Sequence, residues 1–294
     1  MLLMKPIRFT LRIIATCTVC CVVTACCVTI APNQSPAADI APDANDVIAF
    51  ESCDYALGKL HQSGGGFGWK QAWRTSRVGA PQIVAATSEL HHSDVAMSGR
   101  TFLIRGTGKR NNPLRRELAR PISRQEVFVG FDFRYQPSVV SDPSAVDPEF
   151  CVLWLDRLDG GDRATHSSNV PNIGVHHADN GPAKGKNVFM VRVGPAQTAW
   201  SEVELRQSRT YRVVGRLTKS RDGASNDYDR FDLWIDPDES AIESPDATLR
   251  GVRSLNLVRW VGVSTGMKTE VTDEIRVSNL VVGRTFESAL GSSV

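Results

Sequence analysis

Tyr211-Arg-Val-Val-Gly-Arg-Leu-Thr-Lys219 and Tyr228-Asp-Arg-Phe-Asp-Leu-Trp-Ile-Asp236 are the two runs whose reading decides the fold. In the second, Phe231, Leu233 and Ile235 share one side of an extended chain, and Arg230, Asp232 and Asp236 share the other. A period of two is what a half-buried antiparallel strand requires. A polar, proline-broken stretch follows from Pro237 to Pro245. Leu257-Val-Arg-Trp-Val-Gly-Val263 and Asp273-Glu-Ile-Arg-Val277, continued by Leu280-Val-Val282, then read as two more strands.

The same pattern recurs upstream. Val127, Val129, Phe131, Phe133 and Tyr135 alternate with Gly130, Asp132 and Arg134. Phe150-Cys-Val-Leu-Trp-Leu155 is almost wholly apolar, as a strand covered on both faces must be. Val47–Glu51, Gln82–Ala85, Thr101–Ile104, Val188–Val193 and Ser201–Leu205 complete the set. No long amphipathic helix stands out. Many short strands with turn signals between them predict an all-β antiparallel sandwich or barrel.

The chain has 294 residues, of which 41% are hydrophobic, enough for one large domain or two small ones. Its formal charge is +2. Lys5, Arg8 and Arg12 precede the first acidic residue, Asp39, so a processed chain would carry 31 basic against 32 acidic side chains. A nearly neutral body argues against nucleic acid as partner. Residues 1–31 read as a signal peptide, with a short basic start and an uncharged run from Ile13 to Ala31. Val23-Thr24-Ala25-Cys26 resembles a bacterial lipobox, which implies lipidation of Cys26. Cleavage near Ala31 or Ala38, and an uncleaved anchor, are the rival readings; the run just reaches the ~18 residues a span needs. All three imply export to the cell envelope or beyond, with membrane contact only through this segment. Residues 32–46 read as a disordered linker, 47–286 as the sandwich and 287–294 as a tail. Five of seven cysteines lie in the leader. Cys53 and Cys151 read either as one disulfide or as two buried thiols.

Ser63-Gly-Gly-Gly-Phe-Gly68 leads into Trp69 and Trp73 with no helical pattern after it, so it reads as a tight loop, not a phosphate cradle. The two indoles are either a sugar platform or a lid on the core. Trp200 is a third candidate for an aromatic platform. From Arg105 to Arg124 the chain is rich in arginine; Leu114–Arg120 could form a turn or two of helix, and the stretch reads as a patch for anionic polymer or as a solvated loop. Asp156, Asp159 and Asp162 lie around the Gly160-Gly161 pair and could hold Ca²⁺, or form an Asp/Gly turn. His91-His92 and His176-His177 offer one metal ligand each, because neighbours on a strand face opposite ways.

Ala49-Phe-Glu-Ser-Cys-Asp-Tyr55, the glycine run into Gly68-Trp69-x-x-Ala72-Trp73, the strand end Leu233-Trp-Ile-Asp-Pro-Asp238 and the closing Asp273-Glu-Ile-Arg276 resemble exported bacterial proteins with a concanavalin A-like, laminin G-like β-sandwich (jelly roll). The resemblance implies that the first and last strands are neighbours, with Phe50 near Ile275. Its glycosidase branch carries a Glu-x-Asp-x-x-Glu strand that this chain lacks. The fold serves lectins, adhesion modules and glycosidases alike. The expectation is therefore a non-catalytic module binding glycan or surface polymer at the cell envelope. An atypical glycoside hydrolase or polysaccharide lyase, and a structural envelope protein with no small ligand, are the alternatives.

Overall fold

A computed structural model describes residues 46–76, 81–86, 99–137, 147–161, 170–194, 196–220, 226–251 and 254–291. The expected leader and linker, the His91-His92 pair and Asp162 lie outside them. The described chain forms two antiparallel sheets, as the alternating runs require. The strands, numbered in chain order, are β1 (Val47–Glu51), β2 (Gly58–Lys59), β3 (Arg74–Thr75), β4 (Gln82–Ala85), β5 (Arg100–Arg105), β6 (Asn111–Ile122), β7 (Glu126–Gln136) and β8 (Phe150–Asp156). They continue as β9 (Asn172–His177), β10 (Asn187–Gly194), β11 (Gln197–Glu204), β12 (Thr210–Thr218), β13 (Arg230–Ile235), β14 (Ala247–Arg250), β15 (Val258–Thr265) and β16 (Glu274–Gly283). The larger sheet runs β14-β13-β12-β7-β16-β5-β4-β2, with β1 beside β16; the smaller runs β11-β10-β9-β8-β15-β6-β3.

One core lies between the sheets. Val127, Val129, Phe131 and Phe133 of β7 face Leu153 and Leu155 of β8 and Phe189 and Val191 of β10. The Phe133 and Phe189 rings meet edge-on across the gap, 6.0 Å apart. The architecture is the antiparallel β-sandwich expected from the alternation. Cys53 and Cys151 are both buried and both free, so the thiol reading holds.

Three expectations need correction. The first and last strands are neighbours, but Phe50 lies opposite Val281, not near Ile275. The first half of β16 is already paired with β5, where Ile275 meets Ile104, so short β1 takes the second half. Leu114–Arg120 is strand, not helix. A spacing of four between Leu114 and Leu118 suits either period, and the core claims both residues as strand neighbours. The basic stretch is accordingly no solvated loop, since Arg115 and Arg116 are buried.

Arg116 points inward and closes the core. Its Nη1 lies 2.7 Å from Glu51 Oε2, joining β6 of one sheet to β1 of the other. The fully buried Glu51 also accepts from the Trp73 indole (2.8 Å), the Tyr55 hydroxyl (2.7 Å) and the Cys53 N–H (2.9 Å). The glycine run packs against β1. A Cβ on Gly66 or Gly68 would come within 2.0 Å of the Phe50 or Ile48 carbonyl oxygen, and both residues hold positive φ, so only glycine fits.

Removing one partner of a buried pair leaves a naked charge and costs about 3–5 kcal/mol. Arg116→Met should therefore lower the urea unfolding free energy by that amount. A loss under about 1 kcal/mol, the level of an exposed pair, would show that the bridge is not the inter-sheet tie described here.

Candidate functional site

The outer face of the smaller sheet carries a row of polar and aromatic side chains in register. Thr198 of β11 lies opposite Arg192 of β10, and Arg192 opposite Asn172 of β9. Asn172 lies opposite Trp154 of β8, and Trp154 opposite Gly262 of β15. Gly262 is opposite Arg115 of β6, and Arg115 opposite Arg74 of β3. Strand pleating puts all seven on one face, at a step of about 4.8 Å per strand. The inner partners Ile173, Leu153, Val191 and Val263 hold the strands to the core.

The row has specific chemistry. Arg192 is 6% exposed, and its Nε donates to Asn172 Oδ1 (2.8 Å). Its guanidinium stacks over the Phe150 ring at 4.6 Å. Among the described residues it makes no ion pair. Burial, with Arg110 nearby, pulls its pKa down to about 10. Trp154 is 3% exposed, and its indole N–H is buried with no acceptor among the described residues. The ring lies across Gly262, where a Cβ would meet it at 2.4 Å. At the exposed end Arg74 pairs with Asp159 (2.9 Å) and stacks on Trp260 (5.0 Å).

Beside the row sits an aromatic cluster. His176 meets Phe150 and Trp200 edge-on, at 5.1 and 5.5 Å. His176 Nδ1 lies 2.5 Å from the His177 carbonyl oxygen, which can only accept. The proton therefore sits on Nδ1, and Nε2 keeps its lone pair. Burial, reinforced by Arg192, lowers the His176 pKa to about 4, so the ring is neutral at physiological pH.

The residues singled out in the sequence are spread over the fold. Trp200 belongs to this face. Trp73 is buried in the core with its indole on Glu51, and Trp69 packs beside it, with Arg116 stacked on both rings (5.2 and 5.4 Å). Asp156 ends β8 and accepts from the Arg157 N–H (2.6 Å). Asp159 is held by Arg74 and by the Gly161 N–H. The residues that sequence reasoning missed are Trp154, Asn172 and Arg192. Trp154 was hidden in an apolar run, and β9 was not recognised as a strand.

A second group that could hold a divalent cation lies elsewhere. Asp147, Glu149, Glu270 and Asp273 bring one carboxylate oxygen each within 4.8 Å of one another. Glu149 is 1% exposed and accepts from the Tyr135 hydroxyl and from Thr269 Oγ1 (2.8 Å). Burial pushes its pKa up to about 9, with Asp273 adding to the rise. Glu270 is raised to about 7 by burial and by Asp273.

No family model and no curated protein matches the chain. Among solved structures it is similar to an alginate lyase mutant in complex with alginate trisaccharide: 12% identity over 82% of this chain and 98% of that one, TM-score 0.48. It is also similar to the T. cruzi calreticulin globular domain (12%, 80% and 90%, TM-score 0.45) and to a beta-1,3-glucanase from Mycobacterium marinum (10%, 81% and 99%, TM-score 0.41). At these identities no residue role is carried over.

His176 and Glu149 act on stability with opposite signs, and Glu270, raised to about 7, acts in the same direction as Glu149 up to that pH. His176 is held neutral, so its contribution is complete above the ordinary histidine value of about 6.5 and is lost as pH falls toward 4. Glu149 is held protonated, so its contribution is complete below about 4.3 and is lost as pH rises toward 9. Above about pH 6.5 the two glutamates are unopposed by His176, and beyond the Glu270 value of about 7 Glu149 carries the remaining glutamate loss. In metal-free buffer, unfolding free energy should fall from pH 6.5 to 9, and Glu149→Gln should flatten that slope. Equal slopes in the two proteins would contradict the assignment.

Proposed function

We propose that the protein is a glycan-binding module whose outer face on the smaller sheet takes an acidic polysaccharide. The observation that carries this is Arg192. A buried guanidinium with an asparagine for company and no carboxylate partner among the described residues is costly unless an anion completes it. Its planar fork matches a sugar carboxylate. Arg115 and Arg74 extend the positive row across the sheet. The half-buried Trp200 supplies apolar surface for a sugar face, and the Trp154 N–H, which has no acceptor among the described residues, supplies a donor. Sugar binding through Trp69 and Trp73 is not part of the proposal, because both indoles are engaged in packing. Export, with a tether at Cys26, would place this face at the cell envelope; Ca²⁺ at Asp156 and Asp159 is a separate question that chelation answers.

A second reading, a polysaccharide lyase, is favoured by His176. A neutral imidazole with an unprotonated Nε2, across the Phe150 ring from Arg192, has the parts for abstracting a proton next to an arginine-neutralised carboxylate. A hydrolase finds less support. Asp156 and Glu117 flank Trp260 on the same face, but Glu117 is locked by Lys70 (3.0 Å) and Arg259 (2.6 Å), which hold its pKa down against burial.

Binding of the full-length protein to a polyuronate, measured by calorimetry against the same polymer with its carboxyls methyl-esterified, tests the proposal. The acidic polymer should bind, the ester at least tenfold more weakly, and Arg192→Gln should cost about 10-fold or more, the size of a lost charge-assisted contact. Equal binding of both polymers, or no binding at all, would overturn it. Survival of binding in EDTA removes the ion. Release of an unsaturated uronate, followed by its ultraviolet absorbance and lost in His176→Gln, would convert the module into a lyase.

A further inference from the structure

A cavity of about 580 Å³ opens at one end of the larger sheet, away from the row just described. Five cations line it: Arg124, Lys219, Arg230, Arg250 and Arg284. They come from neighbouring strand ends. Arg250 of β14 is opposite Arg230 of β13, Arg230 opposite Thr218 of β12, and Thr218 opposite Glu126 of β7. Arg284 follows the last residue of β16, whose Gly283 lies opposite Phe128. The rung from β14 to β7 spans about 14 Å.

The acids at this cavity are already engaged. Glu126 lies 3.7 Å from Arg216, and Asp229 accepts from the Ser220 N–H (3.0 Å). Arg230 is paired with Asp232 (2.8 Å). Arg124, Arg250 and Arg284 form no ion pair among the described residues. Lys219 adds a fixed charge beneath them. It is 4% exposed, and its ammonium donates to three neutral oxygens: Ser123 Oγ (3.2 Å), Asn226 Oδ1 (3.1 Å) and the Asn256 carbonyl (2.8 Å). It also lies over the Tyr228 ring at 4.8 Å. The ammonium donates to no carboxylate among the described residues, and although Asp227 offsets part of its charge from a distance, the five cations of the lining outnumber Glu126 and Asp229, which keeps the local potential positive.

We infer that this cavity is a second binding site, for a phosphate-type dianion. Three arginines arriving from different strands surround a volume instead of forming one fork. A planar carboxylate is satisfied by a single fork, whereas a tetrahedral dianion offers acceptors in several directions and answers the excess charge. The phosphate has two candidate sources. The chain enters the sandwich at this end, because the Arg284 N–H donates to the Asp46 carbonyl (2.8 Å). A segment upstream of Asp46 that held a membrane would bring phosphomonoester lipid headgroups to the cavity; a soluble phosphate ester is the other source.

The test uses the full-length chain and inorganic pyrophosphate as probe, read by calorimetry, with Arg250→Gln/Arg284→Gln and Arg192→Gln as variants. Both arginines in the double variant are exposed and form no ion pair among the described residues, so the fold should persist, as an unchanged melting temperature would confirm. The expected result is one pyrophosphate per chain, at least tenfold weaker binding in the double variant and unchanged binding in Arg192→Gln. No binding at millimolar pyrophosphate, or equal binding by wild type and double variant, would overturn the inference. Vesicles then assign the source. If phosphatidic acid vesicles, whose phosphomonoester headgroup can carry two charges, retain the wild type better than the double variant, while phosphatidylcholine vesicles retain both alike, the phosphate is a lipid headgroup. Equal retention on both, with the pyrophosphate difference intact, makes it a soluble ester. Failure of polyuronate binding leaves this site untouched, since the two share no residue.

Discussion

Strand pleating is the constraint on which the rest of this molecule depends. In β8, β9 and β10 every second residue is surrendered to the core: Leu153, Ile173 and Val191 anchor their strands there. Their neighbours Trp154, Asn172 and Arg192 are forced to the other face and, because the strands pair without a slip at that level, into one line. A shift of one residue in any strand would bury the arginine among valines and expose the leucines. The core thus fixes the register, and the register assembles the row.

Arg115 and Arg116 show the same constraint within one dipeptide. Arg116 goes inward, where Glu51 and the two tryptophans receive it and tie one sheet to the other. Arg115 goes outward into the row opposite Gly262. The inward arginine stabilises by satisfying a fully buried carboxylate; the outward one adds charge to a face that already has Arg192 and Arg74. Arg192 differs from Arg116 in its partners, an asparagine and a phenyl ring, with no carboxylate among the described residues.

Much of the fold was legible. The alternation in Val127–Tyr135 and Phe231–Ile235 named the inward faces correctly, and the apolar run Phe150–Leu155 does occupy an interior strand. The failures have physical causes. Leu114 and Leu118 fit a helix as well as a strand, and only pairing between β6 and β15 decides between them. Asn172–His177 holds too few apolar residues to announce a strand, so its asparagine and histidine could not be placed on a face. Trp154 looked like core because it lies in an apolar run, and only its unpartnered indole N–H sets it apart. Trp69 and Trp73, conspicuous beside glycines, serve the Glu51 cluster instead. The acid group around Glu149 gathers residues far apart in the chain, a proximity no local pattern encodes.

The central claim is that an acidic glycan lies along the row on the smaller sheet. The chain has six tryptophans, and the claim divides them. The most direct measurement is the indole N–H spectrum of the protein by nuclear magnetic resonance while an oligouronate is added. The account predicts that the Trp154 resonance moves furthest, as its N–H gains an acceptor, that Trp200 follows, and that Trp73, already donating to Glu51, stays still. Movement confined to Trp69 and Trp73, or no movement at saturating oligouronate, would contradict it.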